Sequence, residues 1–321
     1  MIDNLRKEEC TGCGACENIC PVQCIQMKKD EKGFLYPVID DKKCLKCNKC
    51  DNICPSKNQV ILNKNNEIPE TWAAWSLDKN IRYESTSGGV FSELALAVLK
   101  DNGIVCGARY NEEYMVEHCI IQNESELSVI RQSKYIQSDL RDIYKEINKI
   151  AEDVTIMFSG TPCQVQAMHE YMKGRKNPVI YVDFICRGVN SPEVYQRYLK
   201  ELEEKNNSKV SRVWFKNKEN GWNHFQTRID FENGNVYEQD RYHDPFMRGF
   251  LKHNLYMRKS CHECQFKGED RIADITLADF WGIEFENKEV DVEDGVSAVL
   301  IHSDAGRKIY ELLGKKIYAE E

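Results

Sequence analysis

The chain has 321 residues, 41% of them hydrophobic and 30% charged, with 44 basic against 52 acidic side chains and a net charge of −8. That acidic balance gains nothing from phosphate-backbone attraction, so nucleic acid is not an expected partner. No stretch approaches the roughly 20 apolar residues that span a bilayer, and Met1–Lys7 lacks a signal-peptide core, so no membrane role and a cytoplasmic location are expected.

Of 15 cysteines, nine precede residue 55. Such clustering in a reducing compartment points to metal and not to a disulfide framework. Cys10, Cys13, Cys16 and Cys20 are followed by Pro21, and Cys44, Cys47, Cys50 and Cys54 by Pro55. Both runs read C-x2-C-x2-C-x3-C-P, the spacing of bacterial two-cluster ferredoxins, in which the fourth cysteine of each run serves the other cluster. Cluster 1 would take Cys10, Cys13, Cys16 and Cys54, and cluster 2 Cys44, Cys47, Cys50 and Cys20, each a [4Fe–4S] group. Zinc knuckles need no trailing Cys-Pro, which argues against a pair of zinc sites. Cys24 reads as packing and not as a ligand. Between the runs, residues 33–39 predict a short strand after a turn. Residues 63–70 are polar and read as a linker.

Beyond residue 72 the pattern alternates strand and helix. Ser85-Thr86-Ser87-Gly88-Gly89 precedes a helix whose apolar positions 90, 91, 94, 95, 98 and 99 share one face. Its start reads either as an anion site or as ordinary capping by Ser87. Strands are predicted at 104–108, 154–158 and 179–185, with helices after Cys163 to about Met172 and from Glu193 to Glu204. These units imply parallel strands, and place Cys163 and Cys186 just past two strand C-termini, where open α/β sheets hold ligands. A β-rich stretch follows, with Phe225, Thr227, Ile229 and Phe231 alternating before a turn at 232–235. Further strands are expected at 274–278 and 295–301, before a short final helix.

Cys106 and Cys119 sit in apolar strands and read as core. Cys163, Cys186, Cys261 and Cys264 lie in loops and would close one more site, iron–sulfur or tetrahedral zinc, with a third [4Fe–4S] cluster favoured by the two already present. His262 reads as exposed. The fold expected is an α+β ferredoxin-like module (residues 1–65) followed by a mixed α/β domain with a β-rich insertion (residues 72–321).

Five segments taken together, 85–91, 160–164, 186–192, 261–264 and 273–282, resemble the family of the coenzyme F-420 hydrogenase/dehydrogenase beta subunit over about residues 72 to 306. The resemblance implies an FAD-dependent oxidoreductase core. It implies that Ser85, Thr86, Ser87, Gly88 and Gly89 contact the flavin, with Trp281 in its pocket and Arg187 and Asp279 as candidate catalytic residues. It also strengthens a third cluster at Cys163, Cys186, Cys261 and Cys264. Arg187 stands where many members carry histidine, which leaves the substrate open. The partners implied are a ferredoxin or another redox protein and a small-molecule hydride donor or acceptor such as reduced coenzyme F-420. A flavin reductase of another organic substrate, an electron-carrying component of a larger complex, and homo-oligomerisation all stay open.

Overall fold

The computed structural model describes residues 2–58, 68–285 and 291–321. Positions 63–67 of the polar segment, and with them the expected boundary at 65, lie outside the described residues. Glu70, the last residue of that segment, opens a strand.

The N-terminal module is a hairpin with two short helices. Strand β1 (Ile25–Lys29) runs antiparallel to β2 (Leu35–Ile39), Ile25 facing Ile39. The Asp30 carboxylate fixes the turn by accepting from the backbone of Lys32 and Phe34, each at 3.0 Å. The sequence reading found β2 and missed β1, which offers only Ile25 and Met27 as inward positions. Each cysteine loop turns into its helix through a left-handed residue, Gly14 (φ 74°) before Ala15–Ile19 and Asn48 (φ 58°) before Lys49–Asn52. Glycine and asparagine are the residues that visit this conformation at least cost.

The larger domain is built on an eight-stranded sheet. Its strands are β3 (Glu70–Ser76), β4 (Ile104–Tyr110), β5 (Val116–Ile121), β6 (Ile156–Ser159), β7 (Val179–Phe184), β11 (Ile275–Asp279), β12 (Ser297–Ile301) and β13 (Ile317–Glu320). They lie in the order β13-β3-β12-β11-β7-β6-β4-β5. The inner strands β11, β7, β6 and β4 are parallel, as expected. Both margins are antiparallel, which the strand–helix reading did not foresee. The reason is local: residues 111–115 alone join β4 to β5, too few for a crossover.

One face of this sheet is covered by the helix Val90–Lys100, whose Val90, Leu94, Ala95, Val98 and Leu99 are buried as the periodicity predicts. They share a core with Val105, Met157, Val182 and Val299. Fully burying each leucine contributes about 1.5–3 kcal/mol. On the other side, Ile104, Ile156 and Phe158 share one apolar cluster with Met168 and with Cys13, Cys16, Cys50 and Cys54. The cysteine module is therefore seated in the same core as the large sheet.

The β-rich insertion forms its own three-stranded sheet, β8 (Val210–Asn217), β9 (Gln226–Phe231) and β10 (Val236–Asp240), ordered β10-β9-β8. Thr227, Ile229 and Phe231 are buried on the inward face, matching the alternation in the sequence.

Candidate functional site

Two cavities in the N-terminal module are walled by thiols. One is lined by Cys10, Cys13, Cys16 and Cys54. The other is lined by Cys20, Cys44, Cys47 and Cys50, with Cys24 as a fifth thiol. The last cysteine of each run thus faces the cavity of the opposite run, because each short helix carries the chain across the module. Cys24 is buried in the core, with its sulfur 3.4 Å from that of Cys20. Burial pushes the Cys13 thiol up to about 12 and the Cys16 thiol well above its ordinary value, with the neighbouring thiols adding to the effect. Cys47 is exposed, whereas Cys10, Cys13, Cys16 and Cys54 are all buried.

The four later cysteines come together from three loops. Cys163 opens the helix Pro162–Met172 after β6, Cys186 follows β7, and Cys261 and Cys264 bracket the end of the short helix Lys259–His262. Burial raises the Cys163 thiol, and the thiols of Cys186, Cys261 and Cys13 lie near enough to raise it further. Cys186 is pushed up to about 12 by burial, with Cys261 and Cys264 as its neighbours. Cys163 therefore borders both this group and the first cavity. The Thr161 hydroxyl lies 3.1 Å from the Cys163 sulfur and contacts Gln164, which continues through Ser138 to His118. Cys106 is fully buried in β4 and Cys119 half-buried in β5; His262 is exposed. Among the described residues, no three His, Cys, Asp or Glu side chains close on a point that would hold a single metal ion.

The Ser85–Gly89 loop is held from inside. Ser85 donates its hydroxyl to the Ile81 carbonyl at 2.7 Å, and Ser87 donates to the Val296 carbonyl at 2.6 Å. Thr86 Oγ1 accepts from the Ser133 amide at 2.8 Å. The capping role read for Ser87 is therefore corrected: Gly89 is the cap, at φ 90°, with no side-chain bond to the helix. The reason is that β12 passes close enough for Val296 to take the Ser87 hydroxyl. Gly88 is forced by packing, since a Cβ there would meet the Ala74 oxygen at 2.4 Å.

Lys218, missed in the sequence, ties this loop down. Its ammonium donates to the carbonyls of Arg82, Ser87 and Asp294 at 2.6, 2.9 and 2.6 Å. Burial, with the Arg82 charge nearby, lowers its pKa to about 7. Two residues earlier, buried Lys216 pairs with Asp279 at the end of β11. Burial works against the Lys216 ammonium, yet Tyr135 and Asp279 hold its pKa above the ordinary lysine value. The same ammonium lies 5.1 Å from the Trp281 ring centre and 5.2 Å from that of Phe225. Trp281 is 42% exposed and stacks on buried Trp222 at 4.0 Å. Asp279 Oδ1 and Trp222 Nε1 are buried with no partner. Lys216 and Lys218, at alternate positions directly after the apolar run Val213–Phe215, were the signal that a sequence reading had available.

Arg187 is not joined to this group. It is exposed, and its guanidinium donates to the Leu251 carbonyl at 2.7 Å and Asn254 Oδ1 at 3.0 Å. Cys163, Cys186 and Asp279 nevertheless share one edge of the sheet, since β6, β7 and β11 are adjacent and parallel. No helix among the described residues is long and apolar enough to cross a membrane.

A two-cavity cysteine module seated on a mixed α/β domain defines an iron–sulfur protein, and residues 9–58 match the description of a 4Fe-4S dicluster domain. Residues 71–145 and 153–321 match the N-terminal and C-terminal parts of the coenzyme F420 hydrogenase/dehydrogenase beta subunit, and the chain belongs to that family. It is 23% identical to one of the subunits of the F(420)H(2) dehydrogenase of Methanosarcina mazei over 330 residues, 96% of this chain and 83% of that protein. A solved chain of the F420-reducing [NiFe] hydrogenase complex from Methanosarcina barkeri shares the fold, with a TM-score of 0.54 at 17% identity over 79% of this chain and 82% of that one.

Proposed function

We propose that the protein is an iron–sulfur flavoprotein oxidoreductase, passing electrons between a redox protein and an organic hydride carrier such as reduced coenzyme F-420. The observation that carries this reading is the meeting of Cys163, Cys186 and Asp279 on the edge formed by β6, β7 and β11, with Cys163 also bordering the Cys13 thiol. Thiols and an organic-ligand wall thus stand side by side.

In this reading Cys10, Cys13, Cys16 and Cys54 hold one [4Fe–4S] cluster and Cys20, Cys44, Cys47 and Cys50 a second. Cys163, Cys186, Cys261 and Cys264 hold a third. The module spans residues 1–65 and the flavin domain residues 72–321. In the N-terminal module, thiols spread around each cavity suit a polynuclear cluster, whereas one zinc ion needs four sulfurs about 2.3 Å from a single point. Exposed Cys47 makes the second cavity the side on which a ferredoxin or similar carrier docks.

The chemistry of the Asp279 wall fits FAD. Asp279 Oδ1 and Trp222 Nε1 are unpaired polar atoms, Lys216 is a buried cation, and Trp281 is a partly exposed ring stacked on Trp222. A flavin, when bound, accepts one or two electrons and exchanges hydride with organic molecules. Lys216 would orient its polar edge, and the Trp281 ring would border it and exclude water. Because the Ser85 and Ser87 hydroxyls are already engaged and the Gly88 amide donates to Ser297 Oγ, the loop would reach the cofactor through Thr86 and the backbone amide of Gly89. Arg187 would act outside this wall, on the substrate side.

The test is anaerobic mixing of the holoprotein with reduced coenzyme F-420 and a one-electron acceptor, followed by absorbance. Oxidation dependent on bound flavin is expected. Full iron and flavin with no oxidation would favour a second reading, an electron-carrying component of a larger assembly. The Methanosarcina mazei relative, itself one subunit of a dehydrogenase, favours that reading.

A further inference from the structure

Arg258 is 0% exposed. It stands three residues before Cys261, and has no part in the flavin wall. Its Nε donates to the Cys10 carbonyl at 2.7 Å and its Nη1 to Gln137 Oε1 at 2.8 Å. Its Nη2 donates to the Leu35 carbonyl at 2.9 Å and lies 3.5 Å from the Cys10 sulfur. The Tyr36 and Phe34 rings flank it at 4.2 and 5.4 Å. Among the described residues no carboxylate pairs with it. Its charge is also felt at the Cys261 thiol. The loop opposite is shaped around it: a Cβ on Gly12 would meet Gln137 Nε2 at 2.2 Å and Arg258 Nη1 at 2.8 Å.

A buried cation without a counter-charge is strongly unfavourable. Lys218 and the part-buried Lys134, cations that also donate to carbonyls, escape through lowered pKa values of about 7. Arginine has no such escape, because it stays protonated in proteins. Carbonyls and ring faces offset only part of the cost. The missing negative charge lies at the sulfurs. Four thiolates around an iron–sulfur core carry net negative charge, and each added electron increases it.

We propose that Arg258 is the fixed counter-charge of the Cys10–Cys13–Cys16–Cys54 site, raising its reduction potential above that of the Cys20–Cys44–Cys47–Cys50 site and drawing electrons toward the Cys261 side. This rests on the iron–sulfur reading of both sites. The two sites differ in the way it requires. The cations in the wall of the second cavity, Lys46 and Lys49, are exposed, as is Cys47, so solvent screens charges there, whereas Arg258 is buried against Cys10.

The experiment is an anaerobic redox titration of the full-length holoprotein, followed by electron paramagnetic resonance, for wild type, Arg258→Gln and Arg258→Lys. Cys47→Ser marks which signal belongs to the second site. Arg258→Gln is expected to lower the midpoint of the first site alone, by about tenfold or more in its reduction equilibrium, as a buried charge at this distance demands. Arg258→Lys is expected to move it less. Unchanged midpoints in Arg258→Gln with full iron content would overturn the proposal, as would an equal shift at both sites. Should Arg258→Gln fail to assemble, Arg258→Lys decides: it keeps the unit charge but loses the fork that reaches the Cys10 sulfur, so the first midpoint alone must still fall, and no shift overturns the proposal. Wild type lacking the iron of two clusters would instead sink the underlying reading, and is read out separately by iron analysis.

Discussion

The buried Tyr144 phenol donates to the Cys13 carbonyl at 2.8 Å, joining the first cysteine loop to the larger domain. The thiols of Cys13, Cys163 and Cys16 all lie near this ring. One side chain therefore sits between the first cavity and the later cysteines. Tyr144→Phe keeps the ring but strips the carbonyl of its donor. The expected cost is about 1–3 kcal/mol of stability, read as a lower anaerobic melting temperature at unchanged iron content.

The Lys216–Asp279 pair gives a second prediction. Lys216→Met leaves a carboxylate largely enclosed without its cation, and is expected to cost about 3–5 kcal/mol. Lys216→Met with Asp279→Asn removes both charges and should recover part of that loss. In the double variant, flavin absorbance and hydride exchange are expected to fall while the cluster signals of dithionite-reduced protein stay intact. Loss of the cluster signals as well would show that the pair serves the fold and not the organic pocket.

Lys218 gives a third. Lys218→Met leaves the Arg82, Ser87 and Asp294 carbonyls without a donor, at an expected cost of about 2–4 kcal/mol. Because Ser87 belongs to the loop expected to meet the cofactor, retained flavin per protein is expected to drop more than retained iron. Spectra of the anaerobically desalted variant measure both.

His118 predicts an acid limb. Burial lowers its pKa from 6.5 to about 4, with the Ser159 carbonyl opposing the shift. The unfolded chain therefore takes up this proton at a higher pH than the folded one. The stability due to neutral His118 is fully present above pH 6.5 and is lost as pH falls toward 4, by about 3 kcal/mol across that window. His118→Gln is expected to flatten that limb. Anaerobic melting curves of both proteins between pH 7 and pH 4.5 check it, and parallel slopes would contradict it.

What the sequence revealed follows from how local each signal is. The eight cysteines of the two runs lie within one short segment, so their spacing with the two-cluster pattern was enough to propose two sets, and each cavity is walled by four of these cysteines. The face of Val90–Lys100 and the alternation of β9 are likewise local periodicities. The antiparallel margins were hidden, because strand pairing is decided between distant segments. So were the buried cations. Lys218 reaches Ser87 across 131 residues and Arg258 reaches Cys10 across 248, and in the sequence both look like surface residues. Ser87 misled for the same reason: its acceptor, Val296, lies 209 residues away.

The central claim is that three cysteine sets hold iron–sulfur clusters beside one flavin. Metal and flavin analysis of the anaerobically purified full-length protein tests it most directly. About twelve iron atoms and one flavin per chain are expected, three four-iron clusters being the basis of that figure. About eight irons with one zinc would remove the third cluster, and an absence of flavin would contradict the claim.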